Sequence, residues 1–224
     1  MASPFAATAD SGLMQLETRA AGGDADAQYH LGLAYRSGTE ELPADPSRAI
    51  YWFKKAAAQC NAPALDMLGR FYHAGTGVRA DDKTAARYFR LAAAQKYPQG
   101  VFDWGMSLVE NRAFLVDATQ DAAAAAGCAV LGPEALASIG SAHGSQTLFS
   151  SDPEQLKNEG VHNVEYAANQ GLPAAQYTMG TFFENGIGVQ RDSAKAAEWY
   201  KKAAGNGDED ATKRLQAMEP SATH

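Results

Sequence analysis

Small and large apolar residues alternate along this chain at helical spacing, and they do so in paired segments. The first segment carries Ala27, Leu31, Gly32 and Tyr35 and closes at Gly38; after a short polar loop the second carries Ala49, Trp52, Phe53, Ala56 and Ala57. Each ladder has the three- and four-residue steps of one helix face, so each predicts a helix with a narrow apolar stripe that a second helix would cover. The pair predicts a helix hairpin. The hairpin also recurs, which decides the fold class before any single motif does. Gly32, Gly69, Gly105, Gly140 and Gly180 follow one another at steps of 37, 36, 35 and 40 residues by subtraction. Five residues before each stands Ala27, Ala64, Gly100, Ala135 or Ala175, and three after it Tyr35, Tyr72, Leu108, His143 or Phe183. The second ladder returns as Tyr88, Phe89, Ala92, Ala93 and as Trp199, Tyr200, Ala203, Ala204.

Local chemistry supports the helix ends. Asp45-Pro46 and Asp152-Pro153 pair a capping carboxylate with a proline at the first helical position, where its missing N–H costs nothing. Gly38, Gly75 and Gly186 are placed to close the first helices in the left-handed conformation. The loops Gly75, Gly77, Val78, Asp82 and Gly186, Gly188, Val189, Asp192 match, and each is read as a turn ahead of a capping aspartate. The glycine of the Leu-Gly step lies inside a helix at a cost of about 1 kcal/mol, which implies a close helix crossing.

The pattern of Ala, Gln, Tyr, then Leu-Gly, Tyr, Gly-x-Gly-Val, Asp, Ala and Trp-Tyr-x-Lys-Ala-Ala resembles the Sel1-like repeat, a relative of the tetratricopeptide repeat. The resemblance is close over Ala25 to Cys60, Ala62 to Gln95 and Ala174 to Gly205, and degenerate between about Pro98 and Gln170. It implies an all-α fold, a right-handed α-solenoid of about five helix-hairpin repeats with half-repeat caps. The expected layout is a disordered N-terminus over 1–10, then a single solenoid over 11–218, then a tail over 219–224. Within the solenoid we place a cap at 11–23, repeats at about 24–60, 61–96, 97–131, 132–170 and 171–206, and a C-terminal cap at 207–218. Residues 121–131 read as an alanine-rich helix, and Gly140 to Ser151 as a loosely packed or partner-facing stretch.

Charge and composition narrow the function. The net charge is −7, with 19 Lys and Arg spread among 26 carboxylates, so no basic stripe awaits nucleic acid. No run of about 18 apolar residues predicts membrane insertion, and Met1 to Asp10 has neither the basic nor the apolar region of a secretory leader. The two cysteines, Cys60 and Cys128, fall about two repeats apart, roughly 20 Å at about 10 Å per helix layer. A disulfide needs its Cα atoms within about 7 Å. Both are therefore read as free, buried thiols, and the chain as cytoplasmic, or periplasmic if a leader has been removed.

No enzyme motif emerges. Ser-x-x-Lys, Ser-Asp-Asn and Lys-Thr-Gly are missing, as are a nucleophile elbow, a phosphate-binding lysine loop and Cys-x-x-Cys. His30 and His73 lie on successive first helices with Asp103 in the next repeat, a weak case for a metal, and neither metal nor cofactor is expected.

In tetratricopeptide-type solenoids the first helices line a concave face. The resemblance carries that role to Tyr29, His30, Leu33 and Arg36; to Asp66, Met67, Arg70 and His73; to Phe102, Asp103, Met106 and Glu110; and to Tyr177, Thr178, Thr181 and Glu184. Aromatic, Arg and Met side chains suit a surface that grips varied partners. The expectation is a non-catalytic interaction module, an adaptor holding a peptide or helix of a partner protein in its groove. The resemblance places it in bacterial signalling, envelope assembly or secretion, with a monomer favoured. The alternatives are a neutralising, immunity-type binder of a toxin or effector, and a hydrolase acting on cell wall or β-lactams.

Overall fold

The computed structural model describes residues 4–39, 42–110 and 152–218, and every regular element among them is an α-helix. There are ten: α1 (Pro4–Ala21), α2 (Ala25–Ser37), α3 (Pro46–Ala57), α4 (Ala62–Ala74), α5 (Asp82–Ala94), α6 (Pro98–Val109), α7 (Pro153–Asn169), α8 (Pro173–Asn185), α9 (Ser193–Gly205) and α10 (Glu209–Met218). The expected all-α array of helix hairpins is what forms. The register positions Ala135, Gly140 and His143, the alanine-rich segment 121–131 and Cys128 lie outside the described residues.

The described residues make two compact units, 4–95 in the first and 96–110 with 152–218 in the second. In the first, α2 pairs with α3 and α4 with α5, while α1 packs on α2 and α3 on α4. In the second, α6 pairs with α7 and α8 with α9, while α7 also packs on α8 and α9 on α10. The pairing of α6 with α7 joins a helix that the sequence register put in the repeat over 97–131 to one it put in the next, over 132–170. Helix α1 starts at Pro4, within the stretch expected to be disordered. Proline suits a first helical position, and the alanines after it favour continuation.

The repeated glycine is explained by what faces it. A Cβ on Gly32 would lie 2.6 Å from the Phe53 ring, one on Gly69 2.5 Å from Phe89, and one on Gly180 2.5 Å from Tyr200. Each hairpin thus seats an aromatic ring of its second helix on the bare backbone of its first. The third hairpin differs. There Val164 replaces the aromatic residue and Gly160 stands one turn earlier, so Gly105 and Gly160 meet backbone to backbone; a Cβ on Gly105 would lie 2.8 Å from the Gly160 carbonyl oxygen.

The Gln of the Ala-Gln-Tyr motif also has a structural job. Gln28 Nε2 donates to the Ala20 carbonyl at 3.0 Å, and Gln59 Nε2 donates to Gln28 Oε1 at 2.9 Å. Gln176 repeats this, donating to Ala168 O at 3.1 Å and accepting from Asn206 at 2.8 Å. One buried amide ties the end of the preceding second helix to the end of the following one. Capping is as read at Asp45, Asp152 and Asp192, and Asp24 caps α2 in the same way. For α5 the cap is Asp81, not Asp82: Asp81 accepts from Thr84 N at 3.1 Å, while Asp82 lies within the first turn and contacts His73 Nδ1 at 2.7 Å. Gly75 and Gly186 close their helices in the αL conformation as expected, whereas Gly38 (φ 71, ψ 158) does not, its backbone continuing extended into the longer loop; Gly77 (φ 69) packs so tightly on α3 that a Cβ there would lie 2.7 Å from Pro46.

Candidate functional site

In the first unit, α2 and α4 bring the expected groove residues together. Tyr29 is half-buried, its ring 5.9 Å from that of Phe53 and 5.3 Å from exposed His30. Two turns along α2 from Tyr29, Arg36 Nη1 donates to the sulfur of Met67 on α4 at 3.2 Å. Arg70 Nε lies 3.0 Å from Asp66 Oδ2, one turn apart on α4; the Asp66 side chain is 2% exposed and that of Arg70 43%. Burial raises the Tyr29 pKa, and the charges of Arg36, Asp66 and Arg70 all act on the same hydroxyl. These four groups therefore form one electrostatic cluster.

The cluster separates the expected residues into two kinds. Asp66 and Met67 are buried and do not face outward; they hold Arg70 and Arg36 in place. Tyr29, His30, Arg36 and Arg70 keep exposed surface, Leu33 is partly buried beside them, and His73 at the end of α4 is drawn to Asp82. Helical geometry explains the division, since residues on adjacent positions of one helix point about 100° apart and only part of that arc can be open.

In the second unit the expected residues are engaged within the chain. Phe102 and Met106 pack against the core of Val164, Met179 and Phe182. Asp103 accepts from Gln99 at 3.4 Å, and Glu110 caps the end of α6. Tyr177 packs 5.4 Å from the Tyr200 ring, and the hydroxyls of Thr178 and Thr181 donate to their own helix at 2.8 and 3.0 Å. Glu184 accepts from the Tyr200 hydroxyl at 2.7 Å and from Arg214 of α10. The Arg214 bond holds the Glu184 pKa below its usual range, while burial and then that same carboxylate push Tyr200 up to about 12. Glu184 is thus an anchor for the last helix.

The sequence reading missed a second aromatic surface. It took the Trp52, Phe53 ladder as core, and Phe53 is fully buried. Its neighbour Tyr51 is 52% exposed, edge-on to Trp52 at 5.1 Å with Lys55 over its ring at 5.7 Å. Tyr72 of α4 and Tyr88 of α5 stack at 5.7 Å, with Lys54 of α3 over the Tyr72 ring at 5.8 Å. The signal was available, since Tyr51 and Lys55 stand one turn apart. Two open pockets, of about 480 and 360 Å³, lie by Tyr72 to Asp81 and by Glu154 with Gly186 to Gln190; neither is lined by the Tyr29 cluster. Among the described residues no group of three or more His, Cys, Asp or Glu could hold a metal ion, and no helix is long and apolar enough to cross a membrane.

The cysteine reading needs correction. Cys60 is disulfide-bonded, and among the described residues no cysteine is free. The expectation of two free thiols rested on the spacing of the two cysteines in the repeat register, and the bonded state of Cys60 overturns it.

The Sel1-repeat family profile matches residues 25–59, 62–97 and 173–208, which are three of the four hairpins described. This is a Sel1-repeat protein. The repeat accounts for the succession of helix hairpins α2–α3, α4–α5 and α8–α9. It is similar to the chitin synthase regulator SKT5 of Saccharomyces cerevisiae, 32% identical over 209 residues that cover 86% of this chain and 29% of that protein. It is also similar to chitin synthase regulatory factor 3 of Schizosaccharomyces pombe, 28% identical over 88% of this chain and 18% of that protein. This Sel1-repeat chain therefore spans less than a third of these curated relatives. A solved Sel1 repeat protein from Oxalobacter formigenes is 26% identical, with a TM-score of 0.47 over 94% of this chain and 60% of that one.

Proposed function

We propose that this Sel1-repeat array is an adaptor that holds a peptide or helix of a partner protein against its first helices. The observation that carries this reading is the Tyr29, Arg36, Arg70 cluster, where three side chains of hot-spot type stand on two adjacent first helices over a buried support. The relatives described as regulators of a synthase agree with a protein that acts by binding another protein. The array is read as a right-handed solenoid in which α1 and α10 are half-repeat caps. Support for the caps comes from Gln28, which bonds the end of α1, and from Glu184, which anchors α10. The disulfide at Cys60 favours an oxidising compartment over the cytoplasm.

Affinity capture from the native source tests the reading, with the wild-type chain beside a Tyr29→Phe, Arg36→Ala double variant. One protein retained by the wild type and lost by the variant is the expected result. Equal capture by both would show that the working surface lies elsewhere, with the Tyr51, Lys55 face the next to change.

A further inference from the structure

Helix α3 holds three cations, Arg48, Lys54 and Lys55, and no carboxylate. Arg48 is turned to Asp45 at 3.5 Å and to the Tyr35 hydroxyl at 3.3 Å. Lys54 and Lys55 are exposed, and among the described residues neither has a carboxylate partner. Each instead holds its ammonium over a ring: Lys55 stands 5.7 Å from the centroid of Tyr51, and Lys54 5.8 Å from that of Tyr72 on α4. Both distances are within cation–π range, about 6 Å. Lys54 and Lys55 follow Tyr51 by three and four residues, so the three share one helix face. Tyr72 in turn stacks on Tyr88 of α5 at 5.7 Å. These contacts join α3, α4 and α5 in one surface where two unpaired cations lie over aromatic rings.

The last hairpin shows that the repeat does not require this. There Trp199, Tyr200, Lys201 and Lys202 stand where α3 has Trp52, Phe53, Lys54 and Lys55, but Glu198 occupies the place of Tyr51. A glutamate four residues before a lysine is placed to pair with it on a helix. Helix α3 has instead a ring that is 52% exposed.

We propose that this surface binds an acidic segment of a partner protein, its carboxylates on Lys54 and Lys55 and its apolar side chains on Tyr51 and Tyr72. The ammonium offers three rotatable donors to a carboxylate. Because the ring contacts already extend both lysines, less side-chain entropy is lost when they pair. Tyr72 also lines the open pocket of about 480 Å³, with Arg79 and Asp81. The Asp81 carboxylate is taken by Thr84, from N at 3.1 Å and Oγ1 at 2.7 Å, so exposed Arg79 adds a third cation. The net charge of −7 does not set the local sign, since exposed charges are screened beyond about 8 Å in physiological salt. An anionic membrane fits this surface less well. Lipid-binding clusters gather about four to eight cations, and here Tyr51 is the one exposed large apolar side chain on the described parts of these three helices. The surface shares no residue with the Tyr29, Arg36, Arg70 cluster, so it is tested apart from the groove.

The probes are degenerate decapeptides, acetylated and amidated, with their central positions fixed as Asp and Glu, as Lys and Arg, or as Ser. Phosphatidylserine vesicles and oligothymidylate are measured in parallel. The wild-type chain should select the acidic set. Lys54→Glu with Lys55→Glu should weaken that binding by about tenfold or more and favour the basic set, and Tyr51→Ser should weaken it without changing the preference. Lys201→Glu with Lys202→Glu makes the same change of charge in the last hairpin and should leave binding unaltered. Melting curves accompany each variant. If new carboxylates near the end of α3 unfold the chain, Lys54→Gln with Lys55→Gln replaces that variant and should show the same loss. The proposal is overturned by the lack of an acidic preference, by its survival in the α3 variants, or by an equal loss in the α9 control. Binding confined to vesicles or oligothymidylate would overturn it too. An acidic preference removed by Tyr29→Phe with Arg36→Ala but kept in the α3 variants would move the site to the groove.

Discussion

Glu159 on α7 shows how burial alone can reset one side chain. Removal from water raises its pKa from 4.5 to about 7. The folded chain therefore binds this proton more tightly than the unfolded chain does. Stability contributed by the group grows as pH falls from about 7 toward 4.5 and is least above 7, where both states are ionised. Glu159→Gln should flatten that slope in urea melts taken across the window and raise the midpoint at pH 8. An unchanged slope would mean that the carboxyl is hydrated. Tyr29 and Asp66 mark how far single residues were legible. Both were placed on the groove by register, but which side chain stays open and which becomes a support depends on a neighbour some 31 to 41 residues away by subtraction, Met67 for Arg36 and Arg70 for Tyr29.

At the scale of the element, the hairpin crossing is the feature that sequence pattern captured best. A glycine that costs about 1 kcal/mol in a helix implied close contact, and a ring or a backbone fills that space at Gly32, Gly69, Gly105 and Gly180. The two kinds of crossing predict different outcomes for one substitution. Gly32→Ala presses a methyl on the buried Phe53 ring at 2.6 Å, so the ring, a side chain that can tilt, must move aside, and a loss of about 1 to 3 kcal/mol is expected, partly offset by helix propensity. Gly105→Ala meets the Gly160 carbonyl, a backbone atom that cannot swing aside, and should cost about 3 kcal/mol or more. Urea denaturation of the two variants compares them directly. Equal losses would contradict the backbone contact. The partner of α6 was not legible, because its aromatic signature is replaced by Val164 and its hairpin is closed across many intervening residues.

For the whole molecule the disulfide has the widest consequence. Thiol titration of the unfolded, unreduced protein should find no reactive thiol, and two after reduction, since Cys60 is bonded and the sequence holds two cysteines. Two thiols without reductant would restore the cytoplasmic reading. What the amino-acid sequence determined by itself was the helical class, the helix hairpins, the N-caps at Asp45, Asp152 and Asp192 and the glycine crossings, because all of these depend on spacings within one repeat or on residue types that recur in it. The tertiary structure alone decided the pairing of α6 with α7, the state of Cys60, and which groove residues stay open. Those depend on contacts between segments far apart in the chain, where the repeat pattern is broken and no local period carries the information.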